Sequence, residues 1–275
     1  MARCLIVAWR FFAFLGVSWR FVTFLGETGV NGVQTGQTTL QDHRTNRLLA
    51  AFAPQSFNLV RNELRLVTLA QGRELYAPGD AIDQIYFPQT GLISLLVVTK
   101  DGGYIETSTV GRDGAVGLQS GIGPRRSFTR ATAQISGQFS VIRADRFAGI
   151  VQADHALRDL ILRYTELLWA EAQQIAACNA GHDASARLAR WLLQCADRID
   201  SNEIALTQEL LAQMVGVRRT TVTLLARALQ EQGFIKYSRG HIRIVDRDGL
   251  KNCACECYHV MKYDKLPFSI GVNPF

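Results

Sequence analysis

The sequence predicts an α+β chain. It reads as an N-terminal β-roll of the double-stranded β-helix, jelly-roll-like kind, then one long helix, then a C-terminal winged helix-turn-helix. Three observations carry this reading. Short β-rich runs recur between glycine turns from Glu63 to about Ile142, as expected when many short strands close a barrel or roll. An apolar stripe with helical spacing starts near Ala156. From Thr207 to Gly233, small, glycine and apolar residues fall where two helices must cross at a tight turn, and a hairpin follows.

The chain has 275 residues, 48% of them hydrophobic and 20% charged. That balance supports a sizeable core in one large or two ordinary domains and excludes a globally disordered chain. Residues 1–40 stand apart as an atypical extension or linker. They carry a near-repeat, Trp9 to Gly16 and Trp19 to Gly26, whose Arg10 and Arg20 interrupt any membrane span, followed by a Gly/Thr/Gln-rich stretch. No stable membrane insertion is expected. The remaining divisions expected are a β-roll over 41–155, a long helix over 156–182, a winged helix-turn-helix over 183–250 and a tail over 251–275.

Within the roll, the expected strands are Glu74 to Tyr76, Gln84 to Phe87, Leu92 to Thr99, Tyr104 to Val110 and Phe139 to Ile142, with short amphipathic helices ahead of them over 46–62. In the long helix, Leu157, Leu160, Ile161, Tyr164, Leu167, Leu168, Ile175 and Cys178 form one stripe close to a heptad seam. Such a stripe serves either a two-stranded dimer interface or packing on its own domain, and the spacing admits both.

In the C-terminal part, Thr207 is placed to cap a short helix, Ala212 is small where helices approach, and Gly216 suits a turn that needs positive φ. Val222 and Leu225 bury the second helix. Its N-terminal end then exposes Arg218, Arg219, Thr220, Thr221 and Thr223. Arg can read guanine O6 and N7, Thr can meet a phosphate or a thymine methyl, and the helix terminus favours a phosphate. Two β runs joined by Ser238-Arg239-Gly240 make the wing, with Lys236, Arg239 and Arg243 available to phosphates.

Charge supports the same end of the chain. The net formal charge is +6, and eleven Lys/Arg against seven Asp/Glu between Arg187 and Lys251 put +4 there. A basic excess of this kind suits an anionic partner such as nucleic acid. The five histidines are scattered, and no nucleophile–base pair, P-loop or dinucleotide glycine motif is evident. An enzyme is therefore not expected. The six cysteines form no secreted disulfide framework, which points to a reducing cytoplasm. Cys253, Cys255, Cys257 and His259 have the residue types for tetrahedral zinc. On a strand the three thiols would share a face, and on a helix they would splay apart.

The order β-roll, long helix, winged helix-turn-helix resembles the Crp/Fnr family of bacterial transcription regulators over about residues 46–250. The likeness is strongest over 204–245, and the runs Ile82 to Ser94 and Gly111-Arg-Asp-Gly-Ala-Val-Gly117 look like that family's sensor domain. The resemblance implies a homodimer built on the long helix and a roll that responds to a small-molecule effector. It also implies binding to palindromic promoter DNA, with RNA polymerase as a further partner. Cyclic-nucleotide-binding members carry a Gly-Glu pair and an Arg-Ser pair. Here Gly114 is followed by Ala115, which cannot accept a ribose hydrogen bond, whereas Arg126-Ser127 matches. Gly114, Arg126 and Ser127 are thus the candidate effector residues, and the effector and any cofactor are left unassigned. Arg219 matches the family's guanine-reading arginine, while Thr220 replaces its Glu and Leu224 its second Arg, so the preferred DNA sequence should differ. The alternative reading is a metal-, redox- or small-molecule-sensing protein that works through the cysteine cluster without DNA.

Overall fold

The computed structural model describes residues 43–100, 103–123, 125–238 and 240–261. The expected extension over 1–40 lies outside them.

A 3-10 turn at His43–Thr45 leads into helix α1 (Arg47–Ala50) and helix α2 (Pro54–Arg61). Asn46 ties this entry to the roll. Its side chain caps α1 at Leu49 N–H and donates to the carbonyls of Pro88 and Gly114. The roll is built from β1 (Arg65–Leu69), β2 (Glu74–Tyr76), β3 (Gln84–Pro88), β4 (Leu92–Val98), β5 (Tyr104–Val110), β6 (Arg130–Ile135) and β7 (Gly137–Arg143). They pair antiparallel as two facing sheets, β1-β7-β3 and β2-β6-β4-β5. Two of these strands escape the sequence reading. Arg130-Ala-Thr-Ala-Gln-Ile135 has few strong β-formers, yet β6 lies between β2 and β4 in its sheet. Arg65–Leu69 alternates too weakly to stand out. The interior between the sheets is filled by Tyr76, Ile82, Ile93, Val116, Phe139 and Val141.

Helix α3 (Ala144–Ala153), which sequence periodicity missed, closes the roll with Phe147 and Val151. Asp154 caps the long helix α4 (His155–Gly181) by accepting from Leu157 N–H at 3.0 Å. Of the expected apolar stripe, Leu157, Ile161, Tyr164, Ile175 and Cys178 are buried against their own chain and Leu160, Leu167 and Leu168 are half-buried, while Leu162 (43% exposed) and Trp169 (68%), outside that stripe, stand in solvent on the other face.

Helix α5 (Ala184–Ile199) is followed by β8 (Glu203–Ala205), α6 (Gln208–Val215), α7 (Arg219–Glu231), β9 (Ile235–Ser238) and β10 (His241–Ile244). The wing is a three-stranded sheet, β8-β10-β9, rather than a bare hairpin, because Glu203–Ala205 pairs with β10. Leu188, Leu192, Leu211, Val222, Ile235 and Ile242 form its core. That core is continuous with Leu92, Leu96 and Ile135 of the roll. Residues 251–261, expected as part of a tail, are structured instead. Helix α8 (Arg247–Cys253) and helix α9 (Cys257–Val260) pack beside α5, with Leu250 and Tyr258 buried.

Candidate nucleic-acid interface and its link to the roll

The helix-turn-helix is set by the residues that the sequence singled out. Thr207 accepts from Leu210 N–H at 3.3 Å and starts α6. Gly216 ends it at φ +69°, a left-handed conformation that a side chain would strain. The chain then enters α7 with Arg218 at the N-cap. No side chain caps this terminus and no acidic residue lies in its first turn. The first N–H groups of α7 therefore keep no side-chain acceptor, and the helix dipole there is met by cations rather than anions. Such an end suits a phosphate.

Arg218, Arg219, Thr220 and Thr223 are exposed and Thr221 is half-buried. Thr223 is partly committed, since its hydroxyl lies 3.0 Å from the Arg219 carbonyl and 3.2 Å from Gln208 Oε1, which ties α7 to α6. On the wing, Lys236 is exposed, Arg243 pairs with Glu203, and Arg239 lies outside the described residues. Leu224, at 67% exposure, extends the same face of α7 with an apolar side chain.

A buried charged cluster connects this unit to the roll and to α4. Arg198, near the end of α5, reaches Glu171 of α4 at 2.8 Å and Asp113 of the turn after β5 at 3.1 Å, and it also meets Thr109. Burial pushes the Glu171 carboxyl up, against the pull of Arg198. Nearby, Glu106 of β5 accepts from Trp191 Nε1 at 2.6 Å and from Ser94 Oγ at 2.7 Å. Burial raises its pKa to about 7 despite those donors and the charges of Arg190 and Arg198. Ser94 also touches Met214 of α6. The turn itself requires glycine. A Cβ on Gly111 would lie 2.5 Å from Arg198 Cβ, and one on Gly114 would lie 2.0 Å from Tyr164 Oη.

The candidate effector residues commit their polar groups separately. Gly114 accepts from Asn46 and abuts Tyr164, whose hydroxyl bonds to both backbone groups of Ala115. Arg126 is exposed and donates to the Gly79 carbonyl at 2.8 Å. Ser127 is buried and donates to the Thr129 carbonyl at 2.6 Å. The proposed metal set also changes membership. Cys253 and His259 turn away, while Cys255 and Cys257 converge on Cys178 and His182 of the long helix. The break at Ala254 between α8 and α9 is neither strand nor continuous helix, so neither sequence-based geometry applied. Sequence reading passed over Cys178 and His182, although their i, i+4 spacing at a helix end was the available signal. It also passed over the Arg198 cluster, whose members are too far apart in sequence to suggest a pairing.

Residues 186–253 match the family model of the Crp-like helix-turn-helix domain. Comparison with curated proteins gave no match. Among solved structures, the chain is similar to FixK2 from Bradyrhizobium japonicum, with a TM-score of 0.61, 18% identity, and 70% of this chain and 98% of that one covered. It is also similar to the c-di-GMP-responsive global regulator CLP of Xanthomonas campestris, with a TM-score of 0.57, 15% identity and coverage of 70% and 99%. A Crp/Fnr-family transcriptional regulator from Thermus thermophilus gives a TM-score of 0.57, 24% identity and coverage of 69% and 98%. At these identities the structural likeness establishes the fold, and the family model adds the Crp-like character of the C-terminal domain. Residues 186–253 are thus a Crp-like helix-turn-helix domain, and the chain shares the fold of these solved regulators. No helix among the described residues is long and apolar enough to cross a membrane.

Proposed function

We propose that this chain binds a palindromic promoter site as a homodimer in the cytoplasm, under control of a small-molecule signal received at the β-roll, and that RNA polymerase is its further partner. The observation that carries the reading is the N-terminal end of α7, where Arg218 and Arg219 project from a helix terminus with no side-chain cap. Arg219 reads a base edge, Arg218, Thr220 and Thr221 meet the backbone or a thymine methyl, and Lys236 and Arg239 add salt-sensitive phosphate contacts on the wing. The exposed Leu162 and Trp169, seven residues apart on α4, supply the apolar face for a second copy. Gly114, Arg126 and Ser127 remain the effector candidates, with Tyr164 joining the roll turn to the long helix.

The deciding experiment is selection of genomic fragments by the purified full chain at near-physiological salt. Enrichment of an inverted repeat with half-sites about one helical turn apart supports a twofold dimer. Recovery of no motif, with or without added cell extract, overturns the reading.

A further inference from the structure

Away from the DNA-reading face, four side chains from two distant parts of the sequence meet at the elbow between α4 and α5. Cys178 lies in the last turn of α4, and His182 is that helix's C-cap. Cys255 comes from the break between α8 and α9, and Cys257 opens α9. Their ligand atoms all lie within 4.8 Å of one another. Cys178 Sγ is 3.5 Å from Cys255 Sγ, and Cys257 Sγ is 3.6 Å from His182 Nδ1.

We propose that Cys178, His182, Cys255 and Cys257 bind one Zn2+ tetrahedrally, and that the ion clamps the C-terminal helices to the end of the long helix. The dimensions fit one ion. With Zn–S near 2.3 Å and Zn–N near 2.05 Å, a tetrahedron has S···S edges of about 3.8 Å and S···N edges of about 3.6 Å. The Cys178–Cys255 and Cys257–His182 separations, 3.5 and 3.6 Å, lie near those edges, and all four ligand atoms stay within 4.8 Å of one another. Thiols this close leave no room for a multi-iron cluster among them. A soft Cys3His set also favours zinc over calcium, magnesium or manganese.

The surroundings fit as well. Glu256 Oε1 lies 3.0 Å from His182 Nε2, so that nitrogen carries the proton and Nδ1 is presented to the thiols. This is the carboxylate–histidine–metal arrangement that fixes ring orientation and raises ligand basicity. Gln174 Nε2 donates to Cys257 Sγ at 3.1 Å. Arg190 is buried, its Nε has no hydrogen-bond partner, and its charge is felt at Cys178 and Cys255. Three thiolates, a neutral imidazole and Zn2+ sum to −1, a counter-charge for that guanidinium. On binding, three S–H protons leave to solvent and four bonds to zinc form, with no change of oxidation state. With four protein ligands the site is closed, which makes it structural rather than catalytic.

The test is metal analysis of the full chain purified under reductant, followed by Co2+ replacement read by absorption. The expected result is one zinc per chain. The cobalt form should show tetrahedral d–d bands and a thiolate charge-transfer band. Cys178→Ser and Cys257→Ser should lose the metal, whereas Cys253→Ser and His259→Ala should keep it. Because the serine variants could simply unfold, His182→Cys provides the second arm, keeping four ligands and retaining zinc with a shifted cobalt spectrum. Reduced, folded protein with neither zinc nor a thiolate–cobalt band overturns the proposal. So does a Cys178–Cys255 disulfide in metal-free native protein, or loss of metal in Cys253→Ser.

Discussion

Arg219 and Glu106 show how differently one side chain can matter. Arg219 is exposed and lies outside the packed core, so its removal should leave unfolding nearly unchanged. Arg219→Ala should cost about 1–3 kcal/mol on the cognate site and relax the base preference at one position in each half-site. Lys236→Ala should instead weaken all sequences alike and shallow the salt dependence by about one counterion. Competition binding on matched and scrambled sites separates the two, and equal loss on both sites for Arg219→Ala would remove its base-reading role. Glu106 is the reverse case, buried and committed to the fold. Its folded pKa, near 7, lies above the usual carboxylate range, so the folded state holds the proton more tightly than the unfolded chain. Its contribution is therefore fully present at acid pH and is lost as pH rises toward about 7. Glu106→Gln can still accept from Trp191, and at pH 8 it should recover on the order of 2 kcal/mol while flattening stability between about pH 5 and 7. Denaturant titrations across that range check it, and parallel pH profiles for the two proteins would assign the slope to other groups.

At the scale of elements, the long helix is the informative case. Its position was legible, because Leu157, Ile161, Tyr164 and Ile175 recur at helical spacing. Which face would be covered was not legible, since a stripe looks the same whether it meets its own domain or a second copy. The structure gives Leu157, Ile161 and Tyr164 to the roll and Ile175 to the C-terminal helices, and leaves Leu162 and Trp169 outside. Leu162→Glu with Trp169→Glu should therefore yield monomers in sedimentation with the fold intact, because neither side chain is part of the core. A surviving dimer would place the interface on another face. The helix-turn-helix was legible nearly residue by residue, since Thr207, Ala212 and Gly216 each answer a local backbone demand. Strands β1 and β6 were not, because their pairing is supplied by neighbours and not by their own propensity. The cysteine cluster was half legible, as Cys255 and Cys257 are close in sequence while Cys178 and His182 arrive from another helix.

Across the whole molecule, one buried cation joins three parts. Arg198 meets Glu171 of the long helix and Asp113 of the roll turn from within the DNA-binding unit, and its side chain and that of Glu171 are nearly inaccessible. Any displacement of the turn after β5 must therefore move or break this cluster, which links that turn to α4 and α5. Arg198→Met should destabilise by about 3–5 kcal/mol, since two carboxylates lose their shared partner inside the protein. Adding Glu171→Gln should recover part of that loss, a coupling that a double-mutant cycle in denaturant measures. Additive losses would mean that the two side chains do not depend on each other.

The core shared by Leu92, Leu96 and Ile135 of the roll with Leu188, Leu192 and Leu211 of the DNA-binding unit bears on modularity. The C-terminal unit cut from this chain would carry away half of a hydrophobic seam, and the roll left behind would expose the other half. Grafting either half onto a relative would fail unless the matching seam residues travelled with it. The shared seam makes the two halves one folding unit, so substitutions within α7, whose exposed face lies outside that seam, are the changes the fold tolerates most easily.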